Sequence, residues 1–375
     1  MNRTVVGIDV SSQSFYCCFT RKLADGITKI GATRSFANTE NGYRALLAWT
    51  AKHNKERQPV LFVMEATGVY YENLAYFLHG QEQQVWVVLA NQMKSYFKSV
   101  SIKTKTDKVD AKLIAAYGLE RRPVLWEPMA ANYKVLRDYC RELLALKKDR
   151  QRAKSQLHAM QAAYQKHPQV VALKQAQIDF CESAIKQIEK ELKQLVAQDK
   201  ALKDKTDKLS SVPGIGFETA LMLACETNGF RLFNSIRQVV SYAGLDVSHH
   251  ESGSFKGRSR ISKRGNARIR QALYMPALSA LQHNEPVREL YGRVCEKNPA
   301  LKQKGVVAAM RKLLVLAYVM WKKDEKYDKK YVWEHNASVK AQESSLAIEE
   351  QKKRSYWGSA QDRLQQRSLL LEKQS

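Results

Sequence analysis

The first 120 residues alternate between short apolar runs and amphipathic stretches, in an order that only a few folds use. Three strands are predicted at 4–10, 14–20 and 27–36, and the short polar gaps between them indicate an antiparallel meander. Beyond the meander, strands alternate with helices. The helices are predicted at 41–53, 70–80, 91–99 and 107–119, and the further strands at 59–64 and 84–90.

A meander followed by alternating strands and helices predicts a mixed sheet that is covered by helices on both faces. The element order β-β-β-α-β-α-β-α is that of the ribonuclease H-like fold. In that order the first and fourth strands are neighbours, so residues at the ends of both strands would face one crevice. The sequence therefore predicts an α/β domain over residues 1–125 with a cleft at one edge of its sheet.

The middle of the chain, residues 130–205, has a different pattern. Apolar residues recur there at alternating three- and four-residue steps, as in a coiled-coil seam. These positions are Leu136, Tyr139, Leu143, Leu146, Ala153, Leu157, Met160 and Tyr164, then Ile178, Cys181, Ile185, Ile188, Leu192 and Leu195. His167 and Pro168 separate the two runs, which predicts an antiparallel helical hairpin or an oligomerising coiled coil. A purely internal core hairpin is the alternative, and the Lys-, Arg- and Glu-rich flanks favour subunit contacts.

The charge balance restricts the partners of the chain. It has 62 Lys and Arg residues against 37 Asp and Glu, a formal net charge of +25. Nucleic acid is the leading partner for such an excess, and an anionic membrane surface competes with it. No stretch approaches the roughly 18 apolar residues that span a bilayer. The start is interrupted too early by Asp9 to be a signal peptide, so we expect a cytoplasmic protein without membrane contact.

A third, mainly helical unit is predicted over residues 206–322. Its start, Ser-Val-Pro-Gly214-Ile-Gly216-Phe, resembles a helix-hairpin-helix element, whose glycine turn exposes backbone N–H groups to a phosphate. An ordinary Pro-Gly turn before a helix is an equal alternative. After about residue 322 the hydrophobic pattern thins, so residues 323–375 are expected to form a charged, weakly packed tail.

Four acids stand at the ends of predicted elements in the first domain. Asp9 and Glu65 follow apolar strands, and Asp107 and Asp110 share one face at the start of a helix. Carboxylate oxygens suit Mg²⁺, and two such ions about 3.5 to 4 Å apart can assist phosphodiester chemistry. Helix caps and turn residues are the ordinary interpretations of these acids. Lysines beside two of the acids suit a phosphate-rich substrate; they are Lys103, Lys105, Lys108 and Lys112.

A serine, Ser252, lies inside the most basic stretch of the chain. Glycines there allow close backbone approach, and basic side chains supply phosphate contacts. The basic residues are Lys256, Arg258, Arg260, Lys263, Arg264, Arg268 and Arg270. A serine is a weak nucleophile until a base or metal takes its proton, and no His-Asp pair can be placed beside Ser252. A phosphate contact is the commoner role for such a serine, and activation by a metal from the first domain is the other interpretation.

The motifs follow one another from about residue 4 to about residue 320. They are Gly-Ile-Asp9-Val-Ser, Glu65-Ala-Thr-Gly-Val-Tyr, Lys-Thr-Asp107-Lys-Val-Asp110-Ala, Val-Pro-Gly-Ile-Gly, Tyr-Ala-Gly-Leu, Glu-Ser252-Gly-Ser and Arg-Ile-Ser-Lys-Arg-Gly-Asn-Ala-Arg-Ile-Arg. With this ordered set the chain resembles the IS110/IS1111 family of insertion-sequence transposases. Related site-specific DNA invertases share the arrangement.

The resemblance implies an N-terminal RuvC-like domain whose DEDD metal site maps to Asp9, Glu65, Asp107 and Asp110, with Mg²⁺ as the metal and Mn²⁺ as an alternative. It also implies a C-terminal transposase domain whose serine, here Ser252, attacks DNA and forms a phosphoserine intermediate. The implied partners are donor and target DNA, a noncoding bridge-type guide RNA encoded by the element, and further copies of the chain. The copies would form a dimer or tetramer through the coiled coil. Such a protein works in the bacterial cytoplasm, at the nucleoid when active.

Two features depart from the family pattern. Members commonly carry a proline and a basic residue soon after Tyr-Ala-Gly-Leu, where this chain has Asp-Val-Ser-His-His, so Ser254 is an alternative nucleophile. The tail beyond about residue 322 has no counterpart.

Other functions fit parts of the sequence. The nearest is a guide-free DNA invertase, or a RuvC-like junction nuclease that uses only the four acids. A sugar- or acetate-kinase-like ATPase shares Gly-Ile-Asp-Val-Ser, but the positive charge and the lack of later Gly-rich adenosine loops argue against it. A non-catalytic nucleic-acid-binding regulator is the third alternative.

Overall fold

The structure is a computed structural model, and its chain forms two compact units, residues 1–134 and 135–375. The described residues are 3–23, 27–100, 106–165, 167–231, 233–248, 251–252, 255–257 and 259–328.

The first unit is built on a five-stranded mixed sheet. β1 (Arg3–Val10), β2 (Ser14–Lys22) and β3 (Thr28–Ala37) pair antiparallel, which confirms the predicted meander. β4 (Val60–Glu65) pairs in parallel with β1, and β5 (Gln84–Val88) pairs in parallel with β4. The strand order is β3-β2-β1-β4-β5, so the first and fourth strands are neighbours as predicted. This topology fits the ribonuclease H-like fold.

Helices cover both faces of the sheet, because side chains alternate along each strand and both faces are apolar. The bounds are Glu40–His53 for α1, Glu72–Gly80 for α2, Ala90–Ser99 for α3 and Asp107–Glu120 for α4. Ile8 of β1 lies in the core with α1 and α2. Val5 of the same strand lies in the opposite core, with α3 and α4.

Two long helices carry the predicted hairpin region. Their bounds are Ala131–Ala162 for α5 and Pro168–Gln198 for α6. The Lys147 Nζ lies 3.0 Å from Glu189 Oε1, and the Lys154 Nζ lies 2.7 Å from Glu182 Oε1. Because the residue numbers rise on one helix as they fall on the other, α5 and α6 run antiparallel. The coiled-coil supercoil and its subunit contacts stay predictions.

The rest of the second unit is mainly helical, in agreement with the sequence. The bounds are Lys200–Ser210 for α7, Phe217–Glu226 for α8, Ile236–Tyr242 for α9, Ala267–His283 for α10, Glu285–Glu296 for α11 and Gln303–Lys323 for α12. α12 is central, because it contacts α7, α9, α10 and α11. In the described part of the chain, no helix has the length and apolarity needed to cross a bilayer.

Two short antiparallel ladders connect α9 to α10. Their strands are β6 (Val247–Ser248), β7 (Glu251–Ser252), β8 (Phe255–Lys256) and β9 (Arg260–Ile261). β6 pairs with β9, and β7 pairs with β8. The basic stretch therefore runs through a nested hairpin before it reaches the start of α10.

Candidate active site

Asp9 and Glu65 occupy the ends of two neighbouring parallel strands. The register of β1 and β4 pairs Ile8 with Met64, so Asp9 and Glu65 are the next residues on each strand. Each lies four residues beyond a member of the core under α4, Val5 on β1 and Leu61 on β4. Because side chains alternate every two residues, both acids face the α4 side of the sheet. Both are half-buried, as expected for acids at the rim of an apolar core.

α4 brings the other two acids to the same end of the sheet. A Cβ on Gly7 would collide with main-chain atoms of Ala111 and Ala115, so glycine is what lets α4 lie directly on β1. Farther along α4, Gly118 packs against Val5, so the helix runs opposite to β1 and its first turn lies toward the end that carries Asp9.

Asp107 and Asp110 belong to that first turn. They continue the buried helical stripe of Ala111 and Ile114 at the three- and four-residue spacing that places side chains on one face. The helix cap is Thr106, whose hydroxyl accepts a hydrogen bond from Val109 N at 3.3 Å. Thr106, and not Asp107, is therefore the residue that caps α4. Together, β1, β4 and α4 carry all four acids to one edge of the sheet.

The donor set at this edge suits a hard divalent cation. All four side chains are carboxylates, and carboxylates that share a site repel one another unless a cation or a proton compensates them. Among the described residues, no three His, Cys, Asp or Glu side chains already stand as a ligand cluster. The fit to a metal thus rests on the chemistry of the donors and on the elements that carry them. Lys108 is exposed beside the acids, while Lys103 and Lys105 lie outside the described residues.

Ser252 lies at the far end of the nested hairpin. It is exposed and pairs with Phe255, the last pair of the β7–β8 ladder. The base of the hairpin is closed by the Ser262 hydroxyl, which donates to Asp246 Oδ1, and by the Ser262 N–H, which donates to Asp246 O at 2.8 Å. Asp246 stands in the segment that departs from the family pattern. Ser254, the alternative nucleophile, lies outside the described residues, as do His249 and His250.

The predicted phosphate contacts divide into exposed and engaged side chains. Four basic side chains around the hairpin are exposed; they are Arg260, Lys263, Arg264 and Arg268. Arg258 and the side chain of Lys256 lie outside the described residues. Arg270 is engaged within the protein, because its Nη1 donates to Ala243 O at 2.9 Å and to Gly265 O at 3.2 Å. Burial also lowers the pKa of the Arg270 guanidinium.

The glycine turn between α7 and α8 is packed on one side. A Cβ on Gly214, whose φ is +104°, would meet the Ala280 side chain at 2.7 Å, and Asn284 Nδ2 donates to Pro213 O at 3.4 Å. Gly216 is exposed, caps α8, and has open space where a Cβ would point. A phosphate could therefore approach at Gly216 and the first N–H groups of α8, whereas Gly214 serves the packing against α10.

A buried carboxylate that the sequence did not single out organises the basic stretch. Glu226, at the end of α8, is 3% exposed. It accepts two hydrogen bonds from Arg141 of α5, at 2.6 and 2.9 Å, and one from Asn266 Nδ2 at 2.6 Å. The Asn266 Oδ1 in turn accepts the N–H groups of Arg268 and Ile269, which caps α10. Glu226 thereby fixes the point at which the hairpin enters the helix.

The electrostatics of this cluster follow from its contacts. Burial by itself would raise the pKa of Glu226, but the hydrogen bond and charge of Arg141 and the hydrogen bond from Asn266 outweigh it, and the pKa is lowered. A lone acid at the end of the apolar run Ala-Leu-Met-Leu-Ala-Cys was a sequence signal for a buried ion pair, and an Asn before a helix was a signal for its cap.

Two family models match the chain, one on each unit. A DEDD transposase model of the IS110 type matches residues 6–165, and the IS116/IS110/IS902 family transposase model matches residues 206–292. The chain is thus an enzyme of the transposase class of DNA recombinases.

The chain is similar to known proteins over most of its length in one case and over about a third or less in two others. The pilin gene-inverting protein of Moraxella bovis is 30% identical over 334 residues, which cover 88% of this chain and 99% of the relative. The insertion sequence IS1111A transposase of Coxiella burnetii is 35% identical over 102 residues, 27% of each protein. The fowlpox virus Holliday junction resolvase aligns with 32% of this chain and 96% of its own, at 12% identity and a TM-score of 0.22. The chain belongs to the IS110 family of transposases.

Proposed function

We propose that this chain cuts and rejoins DNA through two sets of residues, the four acids of the first unit and Ser252 of the second. The observation that carries the proposal is that β1, β4 and the first turn of α4, which carry Asp9, Glu65, Asp107 and Asp110, end at one edge of the sheet. The family match on both units supports it, because each set of residues lies within one matched region.

The four acids would hold Mg²⁺, or Mn²⁺ in its place, against the phosphate backbone of DNA. When bound, the metal would polarise the phosphate and favour loss of the proton from the attacking hydroxyl. The four carboxylates would fix the position of the metal. The exposed Lys108 beside them would contact a neighbouring phosphate and balance its negative charge.

The Ser252 hydroxyl would be the nucleophile. Its oxygen forms a bond to phosphorus while the bond from phosphorus to one sugar oxygen breaks. The serine proton leaves to solvent, and the released sugar oxygen takes up a proton. A sugar hydroxyl of another strand then attacks the phosphoserine, restores a phosphodiester and releases the serine. Neither step consumes a cofactor, because the energy of the first phosphodiester is kept in the phosphoserine.

The basic hairpin and the glycine turn would hold nucleic acid around the serine. The exposed side chains of Arg260, Lys263, Arg264 and Arg268 supply phosphate contacts, with Gly216 opening the start of α8 to a further phosphate. We propose Lys103, Lys105, Lys256 and Arg258 for the same role on the strength of the sequence alone. A bridge-type guide RNA from the element would share these contacts with donor and target DNA.

The hairpin of α5 and α6 would join copies of the chain into a dimer or tetramer. α6 exposes Val170, Leu173 and Phe180, large apolar side chains whose three- and seven-residue spacings keep them along one side of the helix. Exposed apolar side chains on a long helix with charged flanks favour a partner helix.

A guide-free DNA invertase is the second candidate. The specific observation in its favour is the Moraxella bovis pilin gene-inverting protein, which matches this chain over 99% of its own length. Both candidates need the acids and Ser252, whereas a junction nuclease needs only the acids.

A recombination assay separates these candidates. A reporter that carries the element's ends and target is incubated with the protein and Mg²⁺, with and without RNA transcribed from the element's flanks. We expect joined products only with the RNA, and none from Asp9→Asn or Ser252→Ala. Asp149→Asn and Ser95→Ala, neither at a buried position, are the matched controls. Recombination without RNA would support the invertase, and DNA cleavage by Ser252→Ala would support the nuclease. Recombination by both Asp9→Asn and Ser252→Ala would overturn the proposal.

A further inference from the structure

Three loops meet at the sheet edge that carries the acids. The turn after β1 contains Ser11, two residues beyond Asp9. The loop after β4 contains Tyr70, five residues beyond Glu65. The third loop joins β3 to α1 and contains Asn38.

The Asn38 side chain links the other two loops. Its Nδ2 donates to Ser11 O at 2.9 Å and to Tyr70 O at 3.1 Å. Its Oδ1 accepts the hydroxyl of Tyr43, a buried residue of α1, at 2.6 Å. The hydroxyl of Tyr43 fixes the orientation of the Asn38 amide. The amide oxygen accepts the Tyr43 O–H, and this leaves both amide N–H groups directed at the two backbone carbonyls. Only an amide side chain offers two donors and one acceptor in this geometry.

The backbone of Asn38 is anchored as firmly as its side chain. Its N–H donates to Gln13 O at 2.8 Å, within the same β1–β2 turn that Ser11 begins. On the other side, the chain beyond Glu65 is held close to the sheet, since Ala66 N donates to Val88 O at 2.8 Å. The link therefore joins two segments that each lead within a few residues to an acid.

We propose that Asn38 is a positioning residue for the carboxylate site, which holds the strand ends of Asp9 and Glu65 at a fixed separation. The inference rests on the proposed function, because it assigns the geometry that those acids need to share a cation. The β1–β4 pairing ends at Ile8 and Met64, and the two Asn38 hydrogen bonds continue the connection between the same two segments just beyond the acids. Groups hydrogen-bonded directly to metal ligands change metal affinity by about 10- to 100-fold. Asn38 acts one step farther away, through the backbone of the two segments, so its effect should lie at the lower end of that range.

Asn54 provides a matched control within the same unit. Its Nδ2 donates to Gln58 O at 2.7 Å, and its Oδ1 accepts from Gln58 N at 3.2 Å and from Arg21 Nη2 at 3.4 Å. Arg21 pairs with Thr4 at the start of β1, so this asparagine lies at the opposite end of the sheet from Asp9. Asn54→Ala and Asn38→Ala each remove an amide that bonds the backbone, but only Asn38 lies at the end of the sheet that carries Asp9 and Glu65.

The test is Mn²⁺ binding to the full-length protein, measured by electron paramagnetic resonance, with thermal melting recorded for every variant. We expect Asn38→Ala to weaken binding by about 10-fold. Asn54→Ala should lower the melting temperature by a similar amount and leave the dissociation constant unchanged. Tyr43→Phe, which removes one hydroxyl and frees the amide, should weaken binding by a smaller factor in the same direction and serves if Asn38→Ala does not fold.

The outcomes separate this inference from the proposed function. Wild-type affinity in a folded Asn38→Ala or in Tyr43→Phe, or an equal loss in Asn54→Ala, would overturn the role of Asn38 and leave the metal site standing. Mn²⁺ binding that is the same in wild type and Asp9→Asn would overturn both.

Discussion

Replacing Glu226 with glutamine removes one charge from a buried ion pair while it keeps the shape of the side chain. Glu226 is 1% exposed at its side chain, and its partner Arg141 is 30% exposed. Breaking such a pair costs about 3 to 5 kcal/mol, and the partial exposure of Arg141 places this case near the lower value, about 3 kcal/mol. Because Asn266 also donates a hydrogen bond to Glu226, the loss of stability should appear in the first turn of α10.

The assay is hydrogen exchange of the first turn of α10, followed by mass spectrometry on the full-length protein. The N–H groups of Arg268 and Ile269 are bonded to Asn266 and report opening of that turn directly. A loss of about 3 kcal/mol corresponds to exchange that is about 150-fold faster. The matched control is Glu218→Gln on the same helix, whose pair with Lys147 is far more exposed and should contribute under about 1 kcal/mol.

The effect should depend on pH in one direction. The pKa of Glu226 is lowered from its ordinary value of 4.5 in the folded protein, so its stabilisation is complete above that value and is lost as the pH falls through the lowered pKa. The difference between wild type and Glu226→Gln should therefore be constant near neutrality and shrink in acid. Equal exchange in the two proteins at pH 7, or a difference that grows in acid, would refute the reasoning.

Two further predictions concern the sheet and the basic stretch. Gly7→Ala should destabilise the first unit by several kcal/mol in urea unfolding, because α4 lies on β1 at that glycine, while Gly80→Ala has open space and should be close to neutral. Arg264→Gln removes an exposed charge, so it should lower the salt dependence of DNA binding by about one phosphate contact without changing the melting temperature. Arg270→Gln, whose guanidinium caps two carbonyls, should lower the melting temperature instead.

Local sequence patterns were sufficient for the first unit. The predicted strand at 4–10 is found at Arg3–Val10, and the predicted helix at 107–119 is found at Asp107–Glu120. The strand predicted at 84–90 ends at Val88, because α3 begins at Ala90 with Leu89 as its cap. The apolar run continued through the boundary, so hydrophobicity could not show where the strand gave way to the helix.

The sequence was sufficient to place the four acids at element ends, and the fold carries those ends to one edge of the sheet. The residues that position these segments could not be predicted from the sequence, because their hydrogen-bond partners are distant in the chain. Asn38 and Tyr70 are 32 residues apart, and Arg141 and Glu226 are 85 apart. Such contacts depend on tertiary packing, which no local spacing encodes. The capping threonine, Thr106, was within reach of the sequence, because Thr before an apolar helix is a common start signal.

In this account, both the four acids and Ser252 are required for one reaction on DNA. The most direct test is the identity of the residue that becomes covalently joined to DNA. The full-length protein is incubated with element-end DNA, flank-derived RNA and Mg²⁺, then quenched in denaturant, digested and analysed by mass spectrometry. The account predicts a phosphodeoxyribose adduct on Ser252 that disappears in Asp9→Asn and persists in Asp149→Asn. Recombined DNA with no adduct on Ser252, or an adduct that forms equally in Asp9→Asn, would contradict it.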